Sequence, residues 1–156
     1  MMLTGSAPIS EETINFLKVC FCCPVIEGYG LTESSAGSCA TLPFDPIAGH
    51  VGGPLSCVKA RLRDLPEMKY LATDQPPKGE LCFKGPSITS GYFKNPEQTA
   101  HAFDSEGWFC TGDVAEIRPN GSIKIIDRAK NIFKLSQGEY IAPEKLENVY
   151  VQSIYI

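Results

Sequence analysis

An α/β fold carrying a β-rich, barrel-like subdomain is predicted by three features of this 156-residue sequence. A helical apolar period, Ile14, Leu17 and Phe21, lies between an apolar start at Met1–Thr4 and the short run Val25-Ile26, which reads as a strand-helix-strand crossover. Alternating and β-branched segments separated by Gly, Pro and Asn then crowd residues 51–126. Finally, the apolar strand Ile123–Ile126 runs into a charged turn and a Pro-started helix, the pattern of a junction between two units. These features divide the chain into residues 1–50 (sheet and helix), 51–126 (β subdomain), 127–130 (junction) and 131–156 (the start of a further unit).

In the first part, Ser10 is an N-cap for a helix over Glu11–Cys22, and Glu11 and Glu12 stand where the helix dipole favours acids. In such a crossover the loops after the strand ends hold ligands, so Gly5–Pro8 and Gly28–Glu33 should be neighbours in space. Three glycines turn the chain between Gly49 and Pro54. Val58, Ala60 and Leu62 alternate with Lys59, Arg61 and Arg63 as a half-buried strand, Pro66–Lys78 reads as a loop, and Gly79–Gly85 as the partner strand. Further short strands are predicted at Ile88–Phe93 and Trp108–Cys110. Asn95-Pro96-Glu97-Gln98 has the cap, the Pro at the first position and the Gln of a helix start. Pro119-Asn120-Gly121 joins Val114–Arg118 to Ser122–Ile126 as a hairpin. Past the charged turn, Gly138 makes a turn, and Pro143 opens a helix with Leu146, Val149 and Tyr150 on one side. Another apolar strand is expected from Val151 on.

Composition excludes several classes. A net charge of -4 provides no basic surplus for broad nucleic-acid binding, although one nucleotide needs only a few placed groups. No apolar run approaches the ~20 residues of a membrane helix. Seven cysteines, with no framework-like spacing and no leader ahead of them, point to a reducing, cytosol-facing compartment. Cys20, Cys22 and Cys23 lack a second cysteine pair and are expected as small core residues at a helix end.

Several stretches suit ligand chemistry. Tyr29 between Gly28 and Gly30 lets backbone approach a planar ligand while its ring offers a stacking face. Thr32 and Glu33 supply a hydroxyl for a phosphate oxygen and a carboxylate for Mg2+. Asp113, after Thr111-Gly112, has two oxygens for a ribose diol, and equally serves to end a strand through a turn hydrogen bond. Arg128 carries a planar fork for phosphate or ribose oxygens, or forms a surface pair with Asp127. No dinucleotide fingerprint, Lys-ending phosphate loop or nucleophile elbow is present.

Taken together and in order, Gly5-Ser-Ala-Pro8, Gly28-Tyr-Gly-Leu-Thr-Glu33, Gly79-Glu-Leu-Cys-Phe-Lys-Gly85, Gly107-Trp-Phe-Cys-Thr-Gly-Asp113 and Asp127-Arg-Ala-Lys130 resemble the adenylate-forming enzymes. Phe133–Glu144, with Gly138-Glu139-Tyr140, looks most like the long-chain fatty-acid CoA ligases of eukaryotes. The resemblance covers essentially the whole chain and implies a partial adenylate-forming (ANL-type) fold, truncated at both ends. It implies an enzyme that uses ATP and Mg2+ to convert a long-chain fatty acid to an acyl-adenylate, then passes the acyl group to coenzyme A with release of AMP. Gly5, Ala7 and Pro8, with Glu27, Gly28, Tyr29, Gly30 and Leu31, match the segments that flank the adenine. Thr32 matches the α-phosphate contact, Glu33 the Mg2+ ligand, Asp113 the ribose aspartate, Ile125 a further nucleotide contact and Arg128 a ribose or phosphate arginine. Lys130 falls at the hinge between the two half-reactions, and Lys134 joins Thr32 and Glu33 in the expected catalytic set. The family's Gly-, Ser- and Thr-rich phosphate loop and its adenylation lysine are not in this sequence, so the expectation is a fragment with little activity alone. Ala129 replaces a second basic residue and Cys110 a frequent His. A cytoplasmic location, or the cytosolic face of the endoplasmic reticulum or another organelle, is implied, with membrane attachment left to segments outside this chain. The alternatives are a synthetase for another carboxylic acid and a non-catalytic nucleotide-binding module.

Overall fold

A computed structural model describes residues 1–135, 140–141, 143–151 and 153. Strand β1 (Met2–Thr4) leads into helix α1 (Glu11–Phe21), whose Ser10 cap accepts a hydrogen bond from the Thr13 amide. Strand β2 (Val25–Tyr29) returns parallel to β1 with Thr4 opposite Glu27, which is the predicted crossover. Two short antiparallel strands, β3 (Cys39–Ala40) and β4 (Gly53–Pro54), extend this sheet in the order β1-β2-β3-β4. Ile14, Val25 and Ala48 form its small core.

The β-rich part is a four-stranded antiparallel sheet with β5 (Lys59–Arg63), β6 (Lys78–Lys84), β7 (Phe109–Ile117) and β8 (Ile123–Arg128) in sequence order, so β5 and β8 are its edges. Leu81, Phe83, Ala115 and Ile123 are buried in its core together with Val51, Val58 and Cys39. The two sheets are tied where the Val51 amide donates to the Ile123 carbonyl and the Ile123 amide to Gly52. Gly121, at φ +81°, closes the predicted β7–β8 hairpin in a left-handed conformation that glycine adopts without steric cost. Helix α2 (Pro96–Ala102) starts as its cap predicts, with the Asn95 side chain accepting from the Gln98 amide. A short pair, β9 (Phe133–Lys134) and β10 (Tyr140–Ile141), precedes helix α3 (Pro143–Val151). No helix among the described residues is long and apolar enough to cross a membrane.

Four expectations change. Residues 88–93 form no strand: the Thr89 amide donates to the Glu33 carbonyl, the Thr89 hydroxyl bonds within its own turn to Gly91, and Gly91 sits at φ +148°. The strands predicted at Trp108–Cys110 and Val114–Arg118 are one continuous β7 that runs from Phe109 to Ile117. Cys20 and Cys22 are exposed rather than in the core, because Cys22 is the left-handed cap that turns the chain off α1, at φ 47°, beyond the stripe that packs on β2. Phe21, on the same last turn, is exposed as well. Val151 ends α3 rather than opening a strand, while the predicted Gly138 turn and residues 154–156 lie outside the described residues.

Candidate nucleotide site

The site is built around an irregularity in β7. Glu80 pairs with Val114 and Cys82 with Cys110, so β7 spans three residues, Thr111, Gly112 and Asp113, where β6 has only Leu81. Such bulges bend a strand and re-aim its side chains, and they recur beside functional sites. Here four polar groups of the bulge have partners. The Thr111 hydroxyl donates to the Leu81 carbonyl at 2.8 Å and accepts from the Asp113 amide at 3.0 Å. The Gly112 amide donates to Glu80 Oε1 at 2.9 Å, and the Gly112 carbonyl accepts from the Ala129 amide at 2.8 Å. Gly112 stands at φ +75°, where a side chain would strain the backbone.

The bulge presents Asp113 to two predicted partners. The Tyr29 phenol donates to Asp113 Oδ2 at 2.5 Å, across 84 residues of sequence. Arg128, opposite Asp113 in the β7–β8 ladder, places Nε 3.5 Å from Oδ1. Burial raises the Asp113 carboxyl above its ordinary pKa, while the Tyr29 hydrogen bond and the Arg128 charge pull it back toward ionisation. Burial, followed by the Asp113 charge, drives the Tyr29 phenol far above its ordinary value, so it is a fixed donor at neutral pH. The Tyr29 ring lies against Phe83, with centroids 6.1 Å apart and planes tilted by 36°.

Beside this triad opens a cavity of about 370 Å³ whose walls include Leu31, Glu33, Tyr92, Thr111, Arg128 and Lys130. Glu33 enters from the short 3-10 turn Thr32–Ser34, and its Oε1 accepts from the Tyr92 phenol at 2.8 Å. Among the described residues the second oxygen has no hydrogen-bond partner, so the carboxylate has the geometry to take a hard cation. The acid Glu33 and the bases Arg128 and Lys130 thus share one cavity, which suits a phosphate with a divalent ion.

The predicted adenine segments meet as expected: a Cβ on Gly5 would lie 2.8 Å from the Gly28 carbonyl oxygen, so the two loops touch through bare backbone. A Cβ on Gly30 would come within 2.2 Å of the Ala36 carbonyl oxygen. Ala7 and Pro8 are exposed on the first loop. Glu27 is held by reciprocal hydrogen bonds with Thr41, and burial, only partly offset by Lys18, raises its carboxyl to about 7. Two predicted residues stand apart. Thr32 is exposed and does not line the cavity, and Ile125 packs against the β5–β8 core. Lys134 has its backbone in β9, opposite Tyr140, while its side chain lies outside the described residues. Sequence reasoning missed Tyr92 and the Glu80 carboxylate under the bulge. Gly91-Tyr92 repeats the Gly-Tyr pairing of Gly28-Tyr29, and that was the available signal.

The AMP-binding enzyme family model matches residues 1–93. The chain belongs to that family. It is 52% identical over 153 residues to fatty acyl-CoA synthetase A of Dictyostelium discoideum, covering 97% of this chain and 23% of that protein. It is likewise 52% identical over 153 residues to human long-chain-fatty-acid--CoA ligase 1, with 98% and 22% covered. The chain therefore spans less than a quarter of the length of these relatives. Among solved structures, the A domain of the carboxylic acid reductase from Segniliparus rugosus, in complex with AMP and a co-purified carboxylic acid, superposes with a TM-score of 0.78 at 38% identity, over 95% of this chain and 22% of that one.

Proposed function

We propose that this chain is the nucleotide-holding part of an ATP-dependent, AMP-forming long-chain fatty acid–CoA ligase. The observation that carries the reading is the convergence of Tyr29, Asp113 and Arg128 beside the cavity walled by Glu33 and Lys130, in a chain about half identical to long-chain ligases.

Asp113 accepts the ribose hydroxyls, held in place by the Thr111-Gly112 bulge, and Arg128 reaches the ribose or the α-phosphate. The bare backbone of Gly5 and Gly28–Gly30, with Ala7, Pro8 and Leu31, flanks the adenine. Thr32 donates its exposed hydroxyl to the α-phosphate once the nucleotide is seated. Glu33 would hold Mg2+, with Tyr92 fixing one of its oxygens. When bound there, Mg2+ would supply charge neutralisation of the phosphates. The positions of Arg128 and Lys130 add to that electrostatic stabilisation without reorganisation. Lys130 follows the last bond from β8 to the bulge, Ala129 to Gly112, which fits a pivot between adenylation and attack by the coenzyme A thiol. Lys134 lies just past this pivot, on a unit that turns with it. The reaction class agrees with a cytosolic or cytosol-facing setting, with any membrane attachment supplied by other segments.

The test is an acyl-CoA synthesis assay of the full-length protein against carboxylic acids of graded chain length, with ATP, Mg2+ and coenzyme A. Turnover greatest with long-chain acids, and reduced at least tenfold by Arg128→Ala, is expected. A preference for short or aromatic acids would reassign the substrate, and no AMP formation with any acid would overturn the ligase reading. Residues 1–156 alone are expected to show little turnover.

A further inference from the structure

On the other side of the bulge, away from the Tyr29–Asp113 pair, two thiols face each other across the sheet. Cys82 on β6 and Cys110 on β7 are direct partners in the ladder, and their Sγ atoms lie 3.7 Å apart. Residues i and i+2 of a strand share a face, so Glu80 projects on the side of Cys82. Glu80, Cys82 and Cys110 bring one ligand atom each to within 4.8 Å of one another. Cys82 and Glu80 are buried and Cys110 is half-buried at the cavity wall, which leaves an entry path from solvent.

The sulfur–sulfur distance fits a tetrahedral thiophilic ion. Two thiolates on a tetrahedral Zn2+, each at about 2.3 Å, stand about 3.8 Å apart, so the sulfurs need almost no movement. A disulfide would require them to close to about 2.05 Å. Charge agrees as well. Two thiolates and a carboxylate carry three negative charges, a divalent ion returns two, and the Arg63 guanidinium, already paired with Glu80 from β5, supplies the third. Soft sulfur ligands select against Mg2+, which demands oxygen, so this site and the Glu33 cavity would not compete for one ion.

We propose that Glu80, Cys82 and Cys110 form a binding site for a thiophilic divalent cation of the Zn2+ class, set behind the part of the nucleotide cavity wall that Cys110 supplies. On binding, the cation forms two metal–sulfur bonds and one metal–oxygen bond, and the two S–H protons pass to the buffer, with no change in oxidation state. Because Glu80 also holds the Gly112 amide, the ion clamps β6 to β7 at the base of the bulge that aims Asp113.

The test uses Co2+ as a spectroscopic substitute, titrated into the chelator-treated, phosphine-reduced full chain. One equivalent giving a thiolate-to-cobalt charge-transfer band, displaced by Zn2+ but not by Mg2+, is expected. The band should vanish in Cys110→Ser, weaken at least tenfold in Glu80→Gln, and persist when Cys20, Cys22 and Cys23 are all replaced by Ser. In the unmutated chain, alkylation of Cys110 read by mass spectrometry should slow at least tenfold with Zn2+, which tests the site even if a variant misfolds. A band that follows Cys20–Cys23, no band in the reduced chain, or unprotected Cys110 would overturn the proposal.

Discussion

In the sheet β5–β8, Leu81, Phe83, Val114 and Ala115 are fully buried, whereas in the β1–α1–β2 unit only Ile14 and Val25 are buried and Phe16, Val19 and Phe21 face solvent. The two regions contribute opposite walls to one proposed nucleotide site. Asp113 and Arg128 stand on strands with their own packed core, and Gly5–Pro8 on a loop whose strand and helix have little. Groups that must hold a ribose within tenths of an ångström are better placed on the first kind of support. The loop that only flanks a base tolerates the second.

Replacing Phe83 by Ala should sharpen this contrast most. Truncating a fully buried Phe costs about 3–5 kcal/mol, and denaturant unfolding should show that loss with β5–β8 signals affected first. A much smaller cost would mean that this sheet is not the stable half. Tyr29→Phe, which crosses between the regions, should come next. It leaves Asp113 Oδ2 without its donor, a cost of about 1–3 kcal/mol read by the same unfolding measurement, and an unchanged midpoint would break the link between the halves.

Glu27 tests the weaker half by pH. Its carboxyl is raised from an ordinary 4.5 to about 7 in the folded chain. A raised folded value gives stability that is complete below the unfolded pKa and is lost as pH rises through the folded one. Stability should therefore fall between about pH 4.5 and pH 7. The loss should be about 1 kcal/mol, reduced from the full shift because water reaches this half-buried group. Glu27→Gln should abolish that slope, and a slope that survives the change would place its origin elsewhere. The smallest effect is expected for Phe16→Ala on the exposed face of α1, within about 0.5 kcal/mol. A cost comparable to that of Phe83→Ala would show that α1 is covered in solution.

The parts legible in the sequence were those set by local chemistry. The Ser10 and Asn95 caps, the Gly121 hairpin and the alternation of β5 each depend on residues within a few positions of one another. Residues 88–93 misled because Ile88, Tyr92 and Phe93 have β propensity, while the segment's hydrogen bonds go to Glu33 and to its own turn. Asp113 was legible as a candidate, but not the bulge that aims it. That bulge is the difference between three residues of β7 and one of β6, a property of the pairing of two strands. Tyr92 was missed for a similar reason, since its contact with Glu33 spans 59 residues. Ile125 matched a family position, yet its side chain packs in the core, as the alternation of β8 in a two-sided sheet requires.

The proposed convergence of Tyr29, Asp113 and Arg128 on a ribonucleoside monophosphate is tested most directly by calorimetry of AMP and 2′-deoxy-AMP with the chain and with Asp113→Asn. The chain should bind AMP about tenfold or more tighter than the deoxy analogue, a hydrogen bond to a charged group being worth about 1.5–3 kcal/mol, and Asp113→Asn should bring the two close to parity. Equal binding of both nucleotides by the unaltered chain, or discrimination that survives the loss of the Asp113 carboxylate, would contradict the account.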